Sequence, residues 1–158
     1  MKQLRRGYAS DFPYFAFVPR RQQKEVGISE LCFPDDILYH TKHTWIKMLD
    51  HTSALVGISD FAQEQLGEVA YVDLPSVEAQ FSTDDAFGAV ESIKAISNIY
   101  MPVNGTVIAV NNVLSSKPYL VNASPYGEGW MLKIVLAVKA SKDHLKSSAD
   151  YISQIHSA

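Results

Sequence analysis

Lys94 is the side chain with the clearest potential for chemistry in this sequence. Residues 87–98 carry apolar side chains at every second or third position on both sides of it, with Gly88 upstream and Pro102 and Gly105 downstream. This pattern predicts two short strands joined by a turn, with Lys94 at or beside the tip. A lysine placed there keeps its amine in water, where an acyl group can be attached. The lysine alone leaves open an ordinary solubilising role.

His43 and Cys32 are the other candidates for chemistry. His43 precedes Thr44 and Trp45, and a lone histidine near a turn indicates a hydrogen-bonding residue rather than an acid or base. No further histidines or acids stand at metal-ligand spacing, so we predict no metal site. Neither a nucleophile motif nor a glycine-rich phosphate loop is present. Cys32 is expected to be a small buried residue, and exchange of its thiol with a carried disulfide is the alternative.

Five sequence runs carry a resemblance to a known family. They are residues 57–63 (G-I-S-D-F-A-Q), 66–75 (L-G-E-V-A-Y-V-D-L-P), 91–95 (E-S-I-K-A), 102–107 (P-V-N-G-T-V) and 120–130 (L-V-N-A-S-P-Y-G-E-G-W). In this order and at these separations they resemble the lipoyl carrier H protein of the glycine cleavage system. The resemblance covers about residues 38–155.

The resemblance implies a carrier protein rather than an enzyme, with lipoic acid joined by an amide bond to Lys94. Glu91, Ser92, Ile93 and Ala95 are then expected to form the turn that the attaching enzyme, a lipoate ligase or lipoyl transferase, recognises. For Glu91 a plain solvated hairpin charge is the alternative. The other implied partners are aminomethyltransferase, glycine decarboxylase and dihydrolipoyl dehydrogenase.

The sequence departs from the family at three positions. The family has Glu where Thr44 stands, usually Asp where Asn98 stands, and often His where Phe61 stands. With His43, these residues are expected to form the groove for the carried group. In glycine cleavage that group is an aminomethyl, which is cationic when protonated, and a carboxylate stabilises a cation more than a neutral acceptor does. The departures therefore point to weaker protection of the aminomethyl group.

Three functions remain open at this point. The first is a divergent H protein that carries the aminomethyl group in glycine cleavage. The second is an H-like lipoate-binding protein that carries sulfur intermediates for a heterodisulfide-reductase-like complex, because the site has lost its expected carboxylates. The third is an interaction module without lipoate. Intact mass separates the third from the other two.

The elements that position these residues are mostly short strands with glycine and proline turns, which predict a sandwich or barrel. Strands are expected between residues 37 and 49, at 54–58, 69–74, 79–81, 86–92, 96–100, 105–110 and 130–135. Short helices are expected after Ser59 or Asp60, where Gln63 suits a reciprocal cap, and within residues 114–120, and a C-terminal helix follows residue 141 with its apolar residues three or four apart. The resemblance implies a mainly β lipoyl-carrier fold, a barrel-sandwich hybrid of two small antiparallel sheets with the C-terminal helix outside.

Individual positions have structural predictions of their own. Gly67 and Gly105 are expected where the backbone needs positive φ or close approach. Trp45, Tyr71 and Trp130 are expected in the core, since large aromatics usually fill it.

Composition bounds the remaining possibilities. The chain has 158 residues and a formal net charge of −3, which suits one domain and argues against nucleic acid as a main partner. The single cysteine suits a reducing compartment, and no apolar run predicts a membrane span. Residues 1–30 are expected to be an N-terminal arm or presequence, because basic residues outnumber acidic ones there, and residues 31–158 the carrier domain. The expected location is cytoplasmic, or the mitochondrial matrix if residues 1–30 include a presequence.

Overall fold

A computed structural model describes residues 27–157, and Leu31–Ala158 form one compact unit. Most of the extension expected at residues 1–30 lies outside the described residues. The strands are β1 (Leu38–Tyr39), β2 (Thr44–Met48), β3 (Ser53–Ile58), β4 (Val69–Asp73), β5 (Gln80–Phe81), β6 (Ala86–Ser92), β7 (Ile96–Tyr100), β8 (Gly105–Val110) and β9 (Leu132–Leu136). The helices are α1 (Asp60–Leu66), α2 (Leu120–Ala123) and α3 (Ser148–His156), with 3-10 turns at Ile28–Glu30 and Asn112–Ser115.

The strands form two antiparallel sheets. The larger has six strands in the order β1-β2-β3-β9-β8-β5, and the smaller has three in the order β4-β6-β7. The core lies between them, with Ile46, Val56 and Ile134 buried from the larger sheet and Val90 and Ile99 from the smaller. The sheets of the described residues do not close into a barrel. The predicted mainly β fold with two antiparallel sheets and a C-terminal helix is confirmed.

Local sequence explains the turns and caps that hold the strands apart. The Asp50 carboxylate accepts hydrogen bonds from the backbone N–H groups of Thr52 and Ser53, at 2.8 and 2.7 Å, and this fixes the β2–β3 turn. Ser59 caps α1 by accepting from the Ala62 N–H at 3.1 Å. Gln63 does not complete a reciprocal cap, because its amide instead donates to the Asp60 carboxylate at 2.7 Å.

Two glycines meet the predicted backbone requirement. Gly67 ends α1 with φ 78° and ψ −159°, a conformation that side chains rarely allow. At Gly105 a Cβ would lie 2.8 Å from the Val135 carbonyl oxygen, because β8 and β9 pair closely there. Gly67 therefore needs its positive φ, and Gly105 needs the close approach.

The C-terminal region differs in detail from the prediction. The last helix begins at Ser148, and its buried face is Ser148, Tyr151 and Ile155, whereas Ala149 is exposed. A 3-10 turn ending at Ser115 and the helix beginning at Leu120 replace the single helical turn expected between residues 114 and 120. Both differences arise because apolar spacing alone does not place the polar residue that begins a helix.

Tyr71 and Cys32 correct two burial predictions. Trp45 is fully buried and Trp130 partly buried, but Tyr71 is 55% exposed on β4. Cys32 is exposed rather than buried, since its backbone is tied to two neighbouring side chains at the surface. Its N–H donates to the Asp60 carboxylate at 2.8 Å, and its carbonyl accepts from the Tyr126 hydroxyl at 2.7 Å.

Candidate functional site

Lys94 lies in the turn between β6 and β7, and its side chain is exposed. The Ser92 N–H donates to the Ala95 carbonyl at 2.8 Å and closes the hairpin. The Ser92 hydroxyl oxygen accepts from the N–H groups of Lys94 and Ala95, at 3.2 and 3.1 Å. The backbone of the turn is therefore held from within, while the lysine amine is left free in water for acylation.

The Lys94 stem lies beside the end of α1. A Cβ built on Gly67 would lie 3.5 Å from Lys94 Cε, which is ordinary van der Waals contact. The Asn122 side-chain amide anchors this point by donating to the Gly67 carbonyl at 2.8 Å and to the Gln63 side-chain oxygen at 2.9 Å. The lysine thus leaves the hairpin next to a fixed helix end.

A cleft of about 470 Å³ begins beside this point and follows α1. One wall is the face of α1, formed by Phe61, Ala62, Gln65 and Leu66. The opposite wall is residues 95–99, along the edge strand β7. Lys42, His43, Ile58 and Val90 complete the lining. This mostly apolar cleft adjoins the lysine and has the character of a site for a long apolar arm.

His43 is held by a buried hydrogen-bond network from three parts of the chain. Its Nδ1 lies 2.7 Å from the Tyr151 hydroxyl on α3, which lies 2.7 Å from the Ser59 hydroxyl at the start of α1. Burial raises the pKa of Tyr151 to about 12, so this phenol keeps its proton at neutral pH. Burial also lowers the pKa of His43, and nearby His40 lowers it further.

The backbone fixes His43 as firmly as the network does. Its φ is 78°, which is uncommon outside glycine. The tight turn requires it, since the His43 N–H donates to the His40 carbonyl at 2.9 Å while the His40 N–H donates to the Thr44 carbonyl at 2.8 Å. The ring lies 5.2 Å from the Phe61 ring, centroid to centroid.

The structure brings together three of the four predicted groove residues. His43, Phe61 and Asn98 line the cleft. Thr44 does not line it, because its side chain is fully buried at the start of β2, and its hydroxyl has no hydrogen-bond partner among the described residues. Thr44 follows His43 directly but faces the protein interior.

The predicted recognition residues occupy the turn and its flanks. Ser92 is buried, whereas Ile93 is 59% exposed and Glu91 is exposed on β6. Glu91 pairs across the sheet with Tyr71 on β4 and Ile96 on β7. Two exposed apolar residues therefore flank Lys94 and Glu91.

Sequence reasoning missed Lys42 and Tyr151. Lys42 stands next to His43, so the turn that carries the histidine was the available signal. Tyr151 is 108 residues from its partner His43, and no local pattern links them.

Two searches bear on other kinds of site. Among residues 27–157 no group of three or more His, Cys, Asp or Glu side chains is arranged to hold a metal ion. In the same part of the chain no helix has the length and apolarity to cross a membrane.

Comparison with known proteins places this geometry in context. The family model "Glycine cleavage H-protein" matches residues 37–158. The chain is 45% identical to the glycine cleavage system H protein of Carboxydothermus hydrogenoformans over 118 residues, which are 75% of this chain and 90% of that protein. It is 48% identical to the same protein of Opitutus terrae, over 75% of this chain and 93% of the relative. The crystal structure of a glycine cleavage system H protein from Mycobacterium marinum superposes with a TM-score of 0.68 at 28% identity, covering 78% of this chain and 98% of that one.

Proposed function

The chain belongs to the glycine cleavage H-protein family, and from this premise we propose that it carries lipoate on Lys94 and serves glycine cleavage. The observation that carries the proposal is the free lysine amine on an internally braced turn beside an apolar cleft. A carrier holds a reactive group on a tether and presents it to successive enzymes. This chain therefore contributes positioning and shielding rather than catalysis.

The residues present suit an amide-linked lipoyl arm. The lysine is the acylated group, and acylation removes its positive charge, so the arm becomes mostly apolar. The bound group supplies a disulfide that accepts an aminomethyl group and electrons and is later reoxidised. The chain supplies the cleft along α1, whose Phe61 and Leu66 offer apolar surface to the stem of the arm.

The braced turn is also the proposed recognition feature for attachment. Ser92 fixes the backbone on both sides of Ile93, and Glu91, Ile93 and Ala95 present exposed surface around Lys94. A lipoate ligase or lipoyl transferase would meet this surface first. We include aminomethyltransferase, glycine decarboxylase and dihydrolipoyl dehydrogenase as the proposed later partners, and the cytoplasm as the proposed location.

The domain division is part of the proposal. Residues 31–158 form the carrier domain, and residues 1–30 form an extension to it. The alternative of a sulfur carrier for a heterodisulfide-reductase-like complex finds no support in the relatives described above, all of which are named for glycine cleavage.

Intact mass tests the attachment. The chain, co-expressed with a lipoate ligase, is expected to gain the mass of one lipoyl group. Lys94→Arg keeps the positive charge but removes the acylatable amine, so the gain should disappear completely while the far-UV circular dichroism stays unchanged. Lys47→Arg, at an exposed lysine on β2, is the matched control and should retain the gain. A lipoyl mass on the Lys94→Arg chain would place the attachment elsewhere.

A further inference from the structure

The charge of the cleft is opposite in sign to the charge of the whole chain. The formal net charge is −3, yet none of the thirteen lining residues is an aspartate or a glutamate, and one of them, Lys42, is a cation. The remaining polar groups of the lining are neutral amides, a hydroxyl and the His43 imidazole. The cleft therefore has a local positive field that the overall composition does not suggest.

Lys42 keeps its charge available to the cleft. Its ammonium lies 4.4 Å from the centre of the Tyr100 ring, a cation–π contact that positions the charge without neutralising it. Among residues 27–157 no carboxylate oxygen lies within 4.0 Å of it. The nearby Asp84 carboxylate is bound to His40 at 2.7 Å.

Proton accounting in the His43 network gives the tautomer of the second polar group. The buried Ser59 oxygen already accepts from the Ala62 N–H, and its own proton has only the Tyr151 oxygen as acceptor among the described residues. Ser59 must then donate to Tyr151, and Tyr151 must donate to His43 Nδ1. The reverse order would leave a buried hydroxyl proton without an acceptor, which is costly.

His43 consequently carries its proton on Nε2. That nitrogen has no partner among the described residues, and the ring lines the cleft. Protonating Nδ1 as well would reverse the network, so burial and the network both favour the neutral ring. The cleft thus offers an ammonium from Lys42 and an N–H donor from His43, with no carboxylate to receive a cation.

We propose that the cleft is an anion site that holds the arm when its end is negatively charged. The inference rests on the proposed function in that the arm is the one attached to Lys94. In the carrier cycle the charge is the thiolate of the reduced arm. An ammonium at the end of the arm meets Lys42 and no counter-charge, so the aminomethylated arm stays in solvent and open to partner enzymes.

The lengths agree with this assignment. α1 has seven residues and is therefore about 10 Å long, with the Lys94 stem beside its last turn and the His43–Phe61 contact at its first. An extended eight-carbon acyl chain is of comparable length. The end of the arm consequently falls where His43 lies.

Three alkylated arms of similar size test the charge preference. In a Cys32→Ser background, the lipoylated chain is reduced, and its thiolates displace halide from iodoacetate, iodoacetamide or 2-bromoethylamine. The ends become anionic, neutral and cationic. The docked fraction is measured from amide chemical shifts of residues 95–99 and from the His43 ring signals. We expect docking in the order anionic, neutral, cationic, with about two- to fivefold between the anionic and neutral ends, as for a solvent-screened ion pair.

Two variants change the preference in opposite directions. Lys42→Gln should abolish the difference between anionic and neutral arms, and Asn98→Asp should raise docking of the cationic arm. Lys47→Gln, an exposed lysine outside the lining, is the matched control and should leave the order unchanged. Docking of the cationic arm equal to or stronger than that of the anionic arm would overturn the proposal, as would an unchanged order in Lys42→Gln.

Failure of lipoylation is kept separate from failure of the anion site. Intact mass before alkylation reports whether the arm is present, which concerns the proposed function. The unmodified chain is also titrated with hexanoate, hexanamide and hexylamine as free probes, and the same shifts are followed. Preference for hexanoate that is lost in Lys42→Gln supports the anion site without any arm, and preference for hexylamine contradicts it.

Discussion

The turn that carries Lys94 and the cleft wall that carries His43 are held in different ways. The turn is exposed from Ile93 to Asn98, and its backbone is braced by one neighbouring side chain, Ser92. The wall is buried, and its hydroxyl and imidazole groups come from β2, α1 and α3. An attachment turn can therefore change its side chains at little cost to the fold, whereas the wall is tied to global stability.

Thr44→Glu should break the wall most severely. The Thr44 side chain is fully buried and its hydroxyl has no partner among the described residues, so a carboxylate there would be buried without a counter-charge. We expect a loss of more than about 3 kcal/mol in unfolding free energy, measured by urea denaturation. Thr44→Val, which removes only the unpartnered hydroxyl, should be neutral or slightly stabilising. Equal stability of the Glu variant would show that this position reaches solvent, and only then would Thr44→Glu be a usable test of cargo charge.

Gly67→Val and Gly105→Val compare a backbone constraint beside the turn with one in the large sheet. Valine is strained at the positive φ of Gly67, and at Gly105 its Cβ would meet the Val135 oxygen. Each should cost about 1–3 kcal/mol and lower the melting temperature by several degrees. Thermal unfolding measures both. Unchanged melting at either position would mean that the backbone there relaxes to an ordinary conformation.

Tyr151→Phe tests the wall with a smaller change. Loss of the hydroxyl leaves the Ser59 proton and His43 Nδ1 without their partners, and we expect a cost of about 1–2 kcal/mol by urea denaturation. Tyr119→Phe, at a tyrosine that is 52% exposed, is the control and should fall within about 0.5 kcal/mol of the parent. If both variants cost the same, the network does not hold the wall.

Ser92→Ala should have the smallest effect on stability. It removes the oxygen that accepts from the Lys94 and Ala95 N–H groups, which water can partly replace, so a loss of about 0.5–1 kcal/mol is expected. Hydrogen exchange at those two amides should become faster and lipoylation slower. Ser97→Ala, in the exposed arm of the same hairpin, should leave exchange at Lys94 unchanged. A large global loss in Ser92→Ala would remove the distinction between turn and wall.

Sequence patterns predicted the turn better than the wall, for a physical reason. A hairpin is set by nearby residues, so the alternation around Lys94 and the flanking glycines were sufficient to place β6, β7 and the tip. The wall depends on Tyr151, which meets His43 across 108 positions. Thr44 was assigned to the groove because it follows His43, but His43 lies in a turn while Thr44 begins a strand with three consecutive buried residues. Adjacent residues therefore face different surroundings.

Tyr71 and Cys32 mark a second limit. An aromatic in an alternating strand fits either face of a sheet, and the face of β4 that carries Tyr71 is the outer one. Burial of a small thiol is a tendency of the residue type, whereas the exposure of Cys32 follows from where its backbone is tied.

Cys32 gives the protein a spectroscopic reporter without further engineering. It is the single cysteine of the sequence, and its backbone is bonded to Asp60 at the start of the helix that walls the cleft. While the carried disulfide is oxidised, a maleimide dye has one thiol to react with. A fluorophore there stands on a fixed base at the opposite end of α1 from Lys94, so its emission can follow movements of the arm in real time.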